Sequence, residues 1–171
     1  MELNLDHLKP AKPTDRFNGV RDCLPPIHEQ ILTDAKYDEF LSLYKKGLDN
    51  GAITPAEFEF KHHFTTVHED FGCALYGREL HLKKGTIAIG ATHKHPTIIV
   101  LLKGKVVVVS QMGRRVMEAP CIYPSNPGLH RIAFVLEDCI WVNVIATAHV
   151  GEDNLSKIEA HHVITPPKIE S

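Results

Sequence analysis

The 171-residue sequence lacks the features that mark several large classes of protein. No apolar run approaches the roughly 18 residues of a membrane helix, so no membrane segment is predicted. The formal net charge of −2 provides no basic excess, so neither a nucleic-acid partner nor an anionic membrane surface is predicted. The first residues have no basic region followed by an apolar one, so no export signal is recognised and a cytoplasmic location is expected.

Several chemical motifs are also missing. The four cysteines are far apart and never spaced as Cys-x-x-Cys, which is typical of small buried residues in a reducing compartment rather than a disulfide framework. There is no Gly-x-Ser-x-Gly, no phosphate loop, no Gly-x-Gly-x-x-Gly and no His-Glu-x-x-His. The protein classes that these motifs define are therefore not indicated.

The first third of the chain predicts an arm followed by helix. Residues 1–26 are rich in proline, lysine and aspartate and predict an extended arm, which we expect to pack on another subunit. Apolar residues at helical spacing between Tyr37 and Leu48 predict a helix. Thr-Pro-Ala-Glu at 54–57 is a capping box and predicts a second helix that fades near 62–63. We assign 1–63 to this N-terminal segment.

From about residue 76 the apolar period changes to two, which predicts strands. Glycine, proline and asparagine separate eight short segments without intervening helix, so we predict a mainly β antiparallel barrel over residues 64–150. The tail, 151–171, begins with a helix-like turn at Leu155 and Ile158. The predicted strands are 76–83, 86–91, 97–103, 105–111, 114–118, 121–124, 130–136 and 139–146.

Histidine is abundant, with 12 residues, and three of them draw attention by their spacing. His93 and His95 are two apart, so on a strand both rings would share one face, about 7 Å apart at Cα. His130 follows a Pro-Gly turn at the start of a later strand. Three imidazoles could hold a divalent metal with positions open for water or substrate. The alternative is that they hydrogen-bond in a polar barrel mouth or bind an anionic group of a ligand.

The order of these residues resembles a known family. A glycine, His93-Lys-His95, an apolar strand ending at a glycine, and Pro-Gly-Leu-His130 resemble the two motifs of the cupin superfamily. The resemblance implies a jelly-roll barrel and a metal held by His93, His95 and His130, with Fe, Zn, Mn or Ni as candidates. The carboxylate that many cupins add falls on Ile99 or Val100, so these motifs offer at most a three-histidine site.

A narrower similarity covers roughly residues 64–160. The blocks GRELHLKKGTIAIGATHK, EAPCIYPSNPGLHR and EDCIWVNVIAT resemble bacteriophage-encoded cupin-like proteins of unassigned activity. The resemblance implies a phage protein that acts in the host cytoplasm.

Other polar residues on or near the predicted strands are weaker candidates for the site. Tyr123 and Glu118 are candidates for proton transfer or for orienting a substrate. Arg131, Asn143 and His68 are candidates for binding a ligand. His62-His63 is assigned to a helix end and His161-His162 to the surface or a subunit contact, while Trp141 is assigned to the core.

Three functions follow from these patterns. The first is a metal-dependent cupin that performs oxygenase or Lewis-acid chemistry on a small molecule. The second is a non-catalytic protein that sequesters a small polar ligand, such as a sugar or a nucleotide signal, with phage counter-defence as one such role. The third is a structural protein that forms homo-oligomers, dimers or larger, through its N-terminal arm. The sequence leaves open whether the protein is an enzyme.

Overall fold

Seven strands and two helices make up the part of the chain that the computed structural model describes, residues 33–52 and 58–164. The arm predicted at 1–26, the capping box at 54–57 and the end of the tail lie outside the described residues. In chain order the elements are α1 (Asp34–Asp49), β1 (Glu59–Phe64), β2 (Ala74–Leu82), β3 (Ile87–Gly90), β4 (Thr97–Ser110), β5 (Gly113–Glu118), β6 (Cys121–Ser125), β7 (Arg131–Thr147) and α2 (Leu155–His162).

The two long strands, β4 and β7, each take part in two layers of the barrel. The first half of β4 pairs with β6 and with the second half of β7, which also pairs with β2 and through it β1. The second half of β4 pairs with β5 and with the first half of β7, which also pairs with β3. All pairs are antiparallel. The result is a five-stranded layer, β1-β2-β7-β4-β6, and a four-stranded layer, β3-β7-β4-β5.

This strand order is that of a jelly roll. With the halves of β4 and β7 counted separately and β1 set aside, the eight segments from β2 onward fall four in each layer, and only the second half of β4 and β5 follow each other in the same layer, as in a double Greek key. The prediction of a mainly β, jelly-roll fold is therefore confirmed.

Two predicted turns are not turns. Lys103-Gly104 and Glu137-Asp138 were expected to separate strands, but β4 and β7 continue through them side by side, with bulges that shift their register. Gly104 has φ of +84°, and a Cβ there would overlap the carbonyl oxygen of Asp138 and lie 2.8 Å from Sγ of Cys139. The glycine thus permits two bent strands to cross closely. In the sequence, a glycine with this role cannot be distinguished from a glycine in a hairpin turn.

The main core lies between the two layers. Its buried side chains come from alternate positions of strands in both layers, as the two-residue period requires. Val106, Met117 and Val135 belong to the four-stranded layer, while Leu101 and Trp141 belong to the five-stranded layer. The assignment of Trp141 to the core is confirmed.

Helix α1 covers the outer face of the four-stranded layer. Thr33 caps its first turn, because Oγ1 accepts a hydrogen bond from the backbone N–H of Lys36. Its apolar stripe packs against Val107 and neighbouring outward residues. Within the stripe Tyr37 is buried, and Phe40 and Leu41 are half-buried. The predicted helix between Tyr37 and Leu48 is confirmed.

The second predicted N-terminal helix is wrong from residue 59 onward. Residues 59–64 form β1, which pairs antiparallel with β2. Phe60, His62 and Phe64 alternate with more polar residues and share one face, a period of two that the capping box at 54–57 led us to overlook. His62 therefore lies on a strand, where its Nδ1 is 2.7 Å from the hydroxyl of Tyr76, and does not end a helix.

Helix α2 packs at one end of the barrel. Ile158 is fully buried against Tyr76 and Ile145, so the helical turn predicted in the tail is confirmed and extended to two turns. Neither α1 nor α2, the two α-helices of the described chain, is long and apolar enough to cross a membrane.

Candidate functional site

The end of the barrel interior beneath α2 is polar and positively charged. Alternation with core residues places three arginines on the inner face: Arg78 two residues before Leu80, Arg115 two before Met117, and Arg131 four before Val135. At this end of the described strands, no inward position carries Asp or Glu; Glu137 follows the inward alternation of β7 but is exposed at the bulge on the opposite end. The interior therefore concentrates positive charge without strand carboxylates to balance it.

Arg131 is the most deeply placed of these residues. It is only 9% exposed, and its Nη1 donates a 2.6 Å hydrogen bond to Oγ of Ser125. No carboxylate pairs with it in the described part of the chain. Burial lowers the pKa of its guanidinium, yet an arginine stays charged at any physiological pH. A buried cation with only a neutral partner is costly unless an anion joins it.

His93 lies between the charged groups. Its Nδ1 is buried and has no hydrogen-bond partner among the described residues. Burial, followed by the positive charges of Arg131 and Arg78, lowers its pKa to about 4, so the ring is neutral at physiological pH. Its backbone is held firmly, since its carbonyl accepts from N–H of Gly128 at 2.9 Å and it forms a β-bridge with Val163. A neutral imidazole in a fixed position can donate or accept one hydrogen bond inside the site.

Helix α2 closes a pocket over this end. The cavity is about 20 Å³, which is room for about one water molecule. Glu159 of α2 pairs with Arg78 at 3.6 Å, and Lys94 binds two carbonyl oxygens of α2, those of Ala160 and His162. The residues that line the cavity are Tyr76, Arg78, His93, Asn143, Ile145, Ile158, Glu159, His162 and Val163.

Two tail histidines belong to this region. The ring of His95 stacks on His161 with 5.1 Å between centroids and meets His162 edge-on at 5.3 Å. His162 is buried, and burial is the main cause that lowers its pKa. The assignment of both tail histidines to the surface or a subunit contact is therefore wrong for His162, which is buried within one chain.

His130 lies on the other side of the four-stranded layer from His93. Its ring packs on Tyr37 of α1, 4.5 Å between centroids, and its Nε2 is 3.6 Å from Asp34. The reason is strand parity: consecutive residues point to opposite faces, and Arg131 takes the inner one. The predicted convergence of His93, His95 and His130 is thus not found in the described chain.

The metal implied by the cupin resemblance does not fit these residues. Within residues 33–52 and 58–164, no three His, Cys, Asp or Glu side chains are arranged to hold a metal ion. The position at which many cupins carry a carboxylate holds Ile99, a buried core residue, or Val100. We therefore derive no chemical step through a metal.

The other predicted site residues divide between inside and outside. Tyr123 is on the inner face, with the guanidinium of Arg115 4.3 Å above its ring, and Asn143 lines the cavity and accepts a hydrogen bond from Nε1 of Trp141. Glu118 is outside, in a 2.9 Å ion pair with Lys105. His68 is exposed in the β1–β2 connection and does not line the cavity.

Sequence reasoning missed four residues of this region. Arg78 occupies an inward position between Tyr76 and Leu80, and a charged residue on an apolar face was the available signal. Tyr76, Glu159 and His162 carried no such signal, because their role depends on where α2 docks.

Comparisons with known proteins give a distant structural similarity. No protein-family model matches the chain, and no curated protein sequence matches it. An ectoine synthase from P. lautus overlaps 70% of this chain and 85% of its own, with 12% identity and a TM-score of 0.45. KdgF from a Halomonas species overlaps 55% of this chain and 94% of its own, with 15% identity and a TM-score of 0.40. A cupin 2 domain-containing protein from Halorhodospira halophila overlaps 60% and 77%, with 12% identity and a TM-score of 0.41. Similarity at this level assigns neither a family nor a substrate to the chain.

Proposed function

We propose that this protein binds a small organic anion, carrying a carboxylate or phosphate group, inside the polar end of its barrel. The observation that carries the proposal is the buried guanidinium of Arg131, which has a neutral partner and no carboxylate among the described residues. An oxyanion there would form charge-assisted and potentially bidentate hydrogen bonds, which are the strong ones for arginine.

Neighbouring groups support the same ligand chemistry. The charges of Arg131 and Arg78 both lower the pKa of His93, so both cations lie near this one ring. His93 Nδ1 and Thr97 Oγ1 are buried without hydrogen-bond partners in the described chain, and both can donate to an oxyanion. Asn143 adds an amide at the cavity wall.

The ligand must displace part of α2. The cavity of about 20 Å³ is lined by Arg78 and His93 but not by Arg131, and it has room for about one water. An organic anion that contacts both arginines through this cavity therefore requires α2 to move. In the closed state Glu159 holds its carboxylate 3.6 Å from Arg78. A ligand anion would take over this pairing, and Glu159, which is largely exposed, would turn to solvent.

Calorimetric titration with a set of matched ligands tests the proposal. The set pairs nucleoside monophosphates with nucleosides, sugar phosphates with sugars, and dicarboxylates with their amides. We expect at least one anion to bind with a dissociation constant below about 100 µM, and its neutral counterpart to bind at least tenfold more weakly. Equal binding of both members of every pair, or no binding at all, would contradict the proposal.

The Arg131→Met variant separates a binding role from a structural one. Methionine keeps much of the side-chain volume, so we expect the anion to be lost and the ligand-free protein to be as stable as the wild type or more so, because a buried unpaired charge is removed. Lys83→Met, which changes an exposed cation outside the barrel, is the control and should bind normally. A ligand-free Arg131→Met protein that is clearly destabilised would assign Arg131 to the structure instead.

Catalysis, the divalent metal and a phage origin remain predictions from the cupin resemblance. The metal is tested by metal analysis of protein purified without an affinity tag, before and after exposure to Fe, Zn, Mn and Ni. Retention of the bound anion unchanged, checked by mass spectrometry, favours the sequestering alternative over an enzyme.

A further inference from the structure

The outer face of the five-stranded layer is apolar, although neither described helix covers it. α1 packs on the four-stranded layer and α2 packs at the barrel end. A solvated antiparallel face normally carries polar residues on every second position. Here the outward positions of β6, β4 and β7 hold valine, isoleucine, leucine and proline. We call this set the uncovered face; its residues are Ile98, Val100, Leu102, Ile122, Pro124, Ile140, Val142 and Val144.

The residues of the uncovered face are aligned in rows across the strands. Ile122, Val100 and Val142 are neighbours in one row, and Pro124, Ile98 and Val144 in the next. Ile98 is 42% exposed, Leu102 53% and Ile122 71%. A contiguous apolar patch of this kind marks an interaction site more often than scattered exposed residues do.

A polar rim borders the uncovered face on the β1–β2 side. Glu79 on the outer face of β2 is bonded to His81 at 2.6 Å and to His63 at 2.8 Å, with Lys61 at 3.8 Å. These bonds, from His81 first and then His63, lower the pKa of the Glu79 carboxyl. Charge is thus neutralised within the rim and absent from the centre, which is the arrangement of an interface core surrounded by polar residues.

From this arrangement we infer that the uncovered face is the contact between two copies of this chain, packed sheet to sheet. The centre carries no charge, so it favours an equally apolar partner, and the same face of a second copy is such a partner. Two such sheets pack about 10 Å apart with interdigitated side chains. This contact does not involve the predicted N-terminal arm and does not depend on the proposed ligand.

The dimensions of the layer agree with a dimer contact. The uncovered face on β6, β4 and β7, together with the polar rim on β2 and β1, spans five strands about 4.8 Å apart and about seven residues long, on the order of 24 by 23 Å. Side-chain relief brings such a face toward the roughly 800 Å² per partner that specific complexes bury. A single extended segment, such as the predicted arm, would cover a strip about one strand wide.

Sedimentation velocity of the full chain at 5–50 µM tests the inference. We expect the wild type to have twice the 19.1 kDa mass of one chain, and the double variant Ile98→Lys/Ile122→Lys to have the mass of one chain. Met112→Lys is the matched control: it is 74% exposed and lies at the β4–β5 turn, so it should remain a dimer. A monomeric wild type, or a double variant that stays dimeric, would overturn the inference; the second result would place the contact elsewhere, for example on the arm.

Folding is checked in the same samples. The substituted side chains are exposed in one chain, so the double variant should still melt cooperatively. If it does not, Ile122→Thr, which keeps a β-branched residue, replaces it and should weaken dimerisation at least tenfold. Unchanged dimerisation of a folded Ile122→Thr protein would then count against the inference.

Discussion

The two ends of the barrel interior are built from the same strands and use them differently. At the end near the bulges, inward positions hold Leu101, Val106, Met117 and Trp141, which pack into one apolar cluster. At the end beneath α2, inward positions of the same or neighbouring strands hold Thr97, whose hydroxyl has no partner in the described chain, and Arg131, whose partner is a neutral serine. The first end resembles a protein core, and the second does not.

This difference indicates which end is kept for function. A fold of this size needs apolar packing between its layers, and the first end supplies it. A buried cation without an anion lowers stability, so the presence of Arg131 is explained better by a ligand than by folding. The predictions below compare the two ends, beginning with the largest expected effect.

Leu101→Ala should destabilise the protein strongly. Leu101 is fully buried in the apolar cluster, and truncation of such a leucine costs about 2–5 kcal/mol of unfolding free energy because a cavity remains. Denaturant unfolding measures the change. Leu43→Ala, at a 61% exposed position of α1, should change stability by less than about 0.5 kcal/mol. Similar effects of both substitutions would mean that the apolar end is not a packed core.

Thr97→Val should have the opposite sign at the polar end of the same strand. The Thr97 hydroxyl is buried without a hydrogen-bond partner in the described chain, and valine has nearly the same shape. We expect an increase of about 1 kcal/mol in the unfolding free energy of the ligand-free protein. We also expect weaker binding of the anion. A loss of stability would show that the hydroxyl is satisfied and would remove one support for the site.

His93 should make the polar end sensitive to acid. Its pKa is about 4 in the fold, against a usual 6.5, so between these values the unfolded chain binds a proton that the folded chain does not. The unfolding free energy should therefore fall as the pH falls from 6.5 to 4 and be unaffected by this group above 6.5. Solvent screens a half-buried ring, so we expect a loss on the order of 1 kcal/mol.

The comparison for His93 is His93→Asn, measured at pH 7.5 and pH 5 by urea unfolding. Between pH 7.5 and pH 5, the unfolding free energy of the variant should fall by less than that of the wild type. Equal losses in both proteins would assign the acid sensitivity to other groups.

Glu118→Gln should have the smallest effect. Glu118 pairs with Lys105 on the outside of the barrel, where an exposed ion pair contributes about 0–1 kcal/mol. We expect anion affinity to be unchanged. A tenfold loss of affinity in calorimetry would return Glu118 to the list of site residues, as the sequence had predicted.

Much of the fold was accessible from the sequence, because alternation and helical spacing are local. Six of the seven described strands, β2 to β7, coincide with segments that were recognised by their two-residue period, and α1 was recognised by its apolar stripe. The prediction of where strands end failed, because a glycine at a bulge and a glycine at a turn look alike in sequence. Eight strands were therefore predicted where the structure has seven, because β4 and β7 each join two predicted segments and β1 was not predicted.

The candidate site was only partly accessible. Arg131, Asn143 and Tyr123 lie on the inner face, whereas His130 was placed on the wrong side because its strand register was not known. His162 and Glu159 join the region through α2, whose docking depends on Ile158 and a distant pair of strands. Such long-range packing leaves no periodic trace in the sequence.

By itself the sequence determined the β-rich class, the helix at 37–48 and which positions alternate, since these follow from neighbours along the chain. The tertiary structure alone decided which histidines meet, that Arg131 is buried without a carboxylate partner among the described residues, and which sheet face the two described helices leave uncovered. The physical reason is that side-chain direction is local, whereas partners and burial are set by strands that are distant in sequence and adjacent in space.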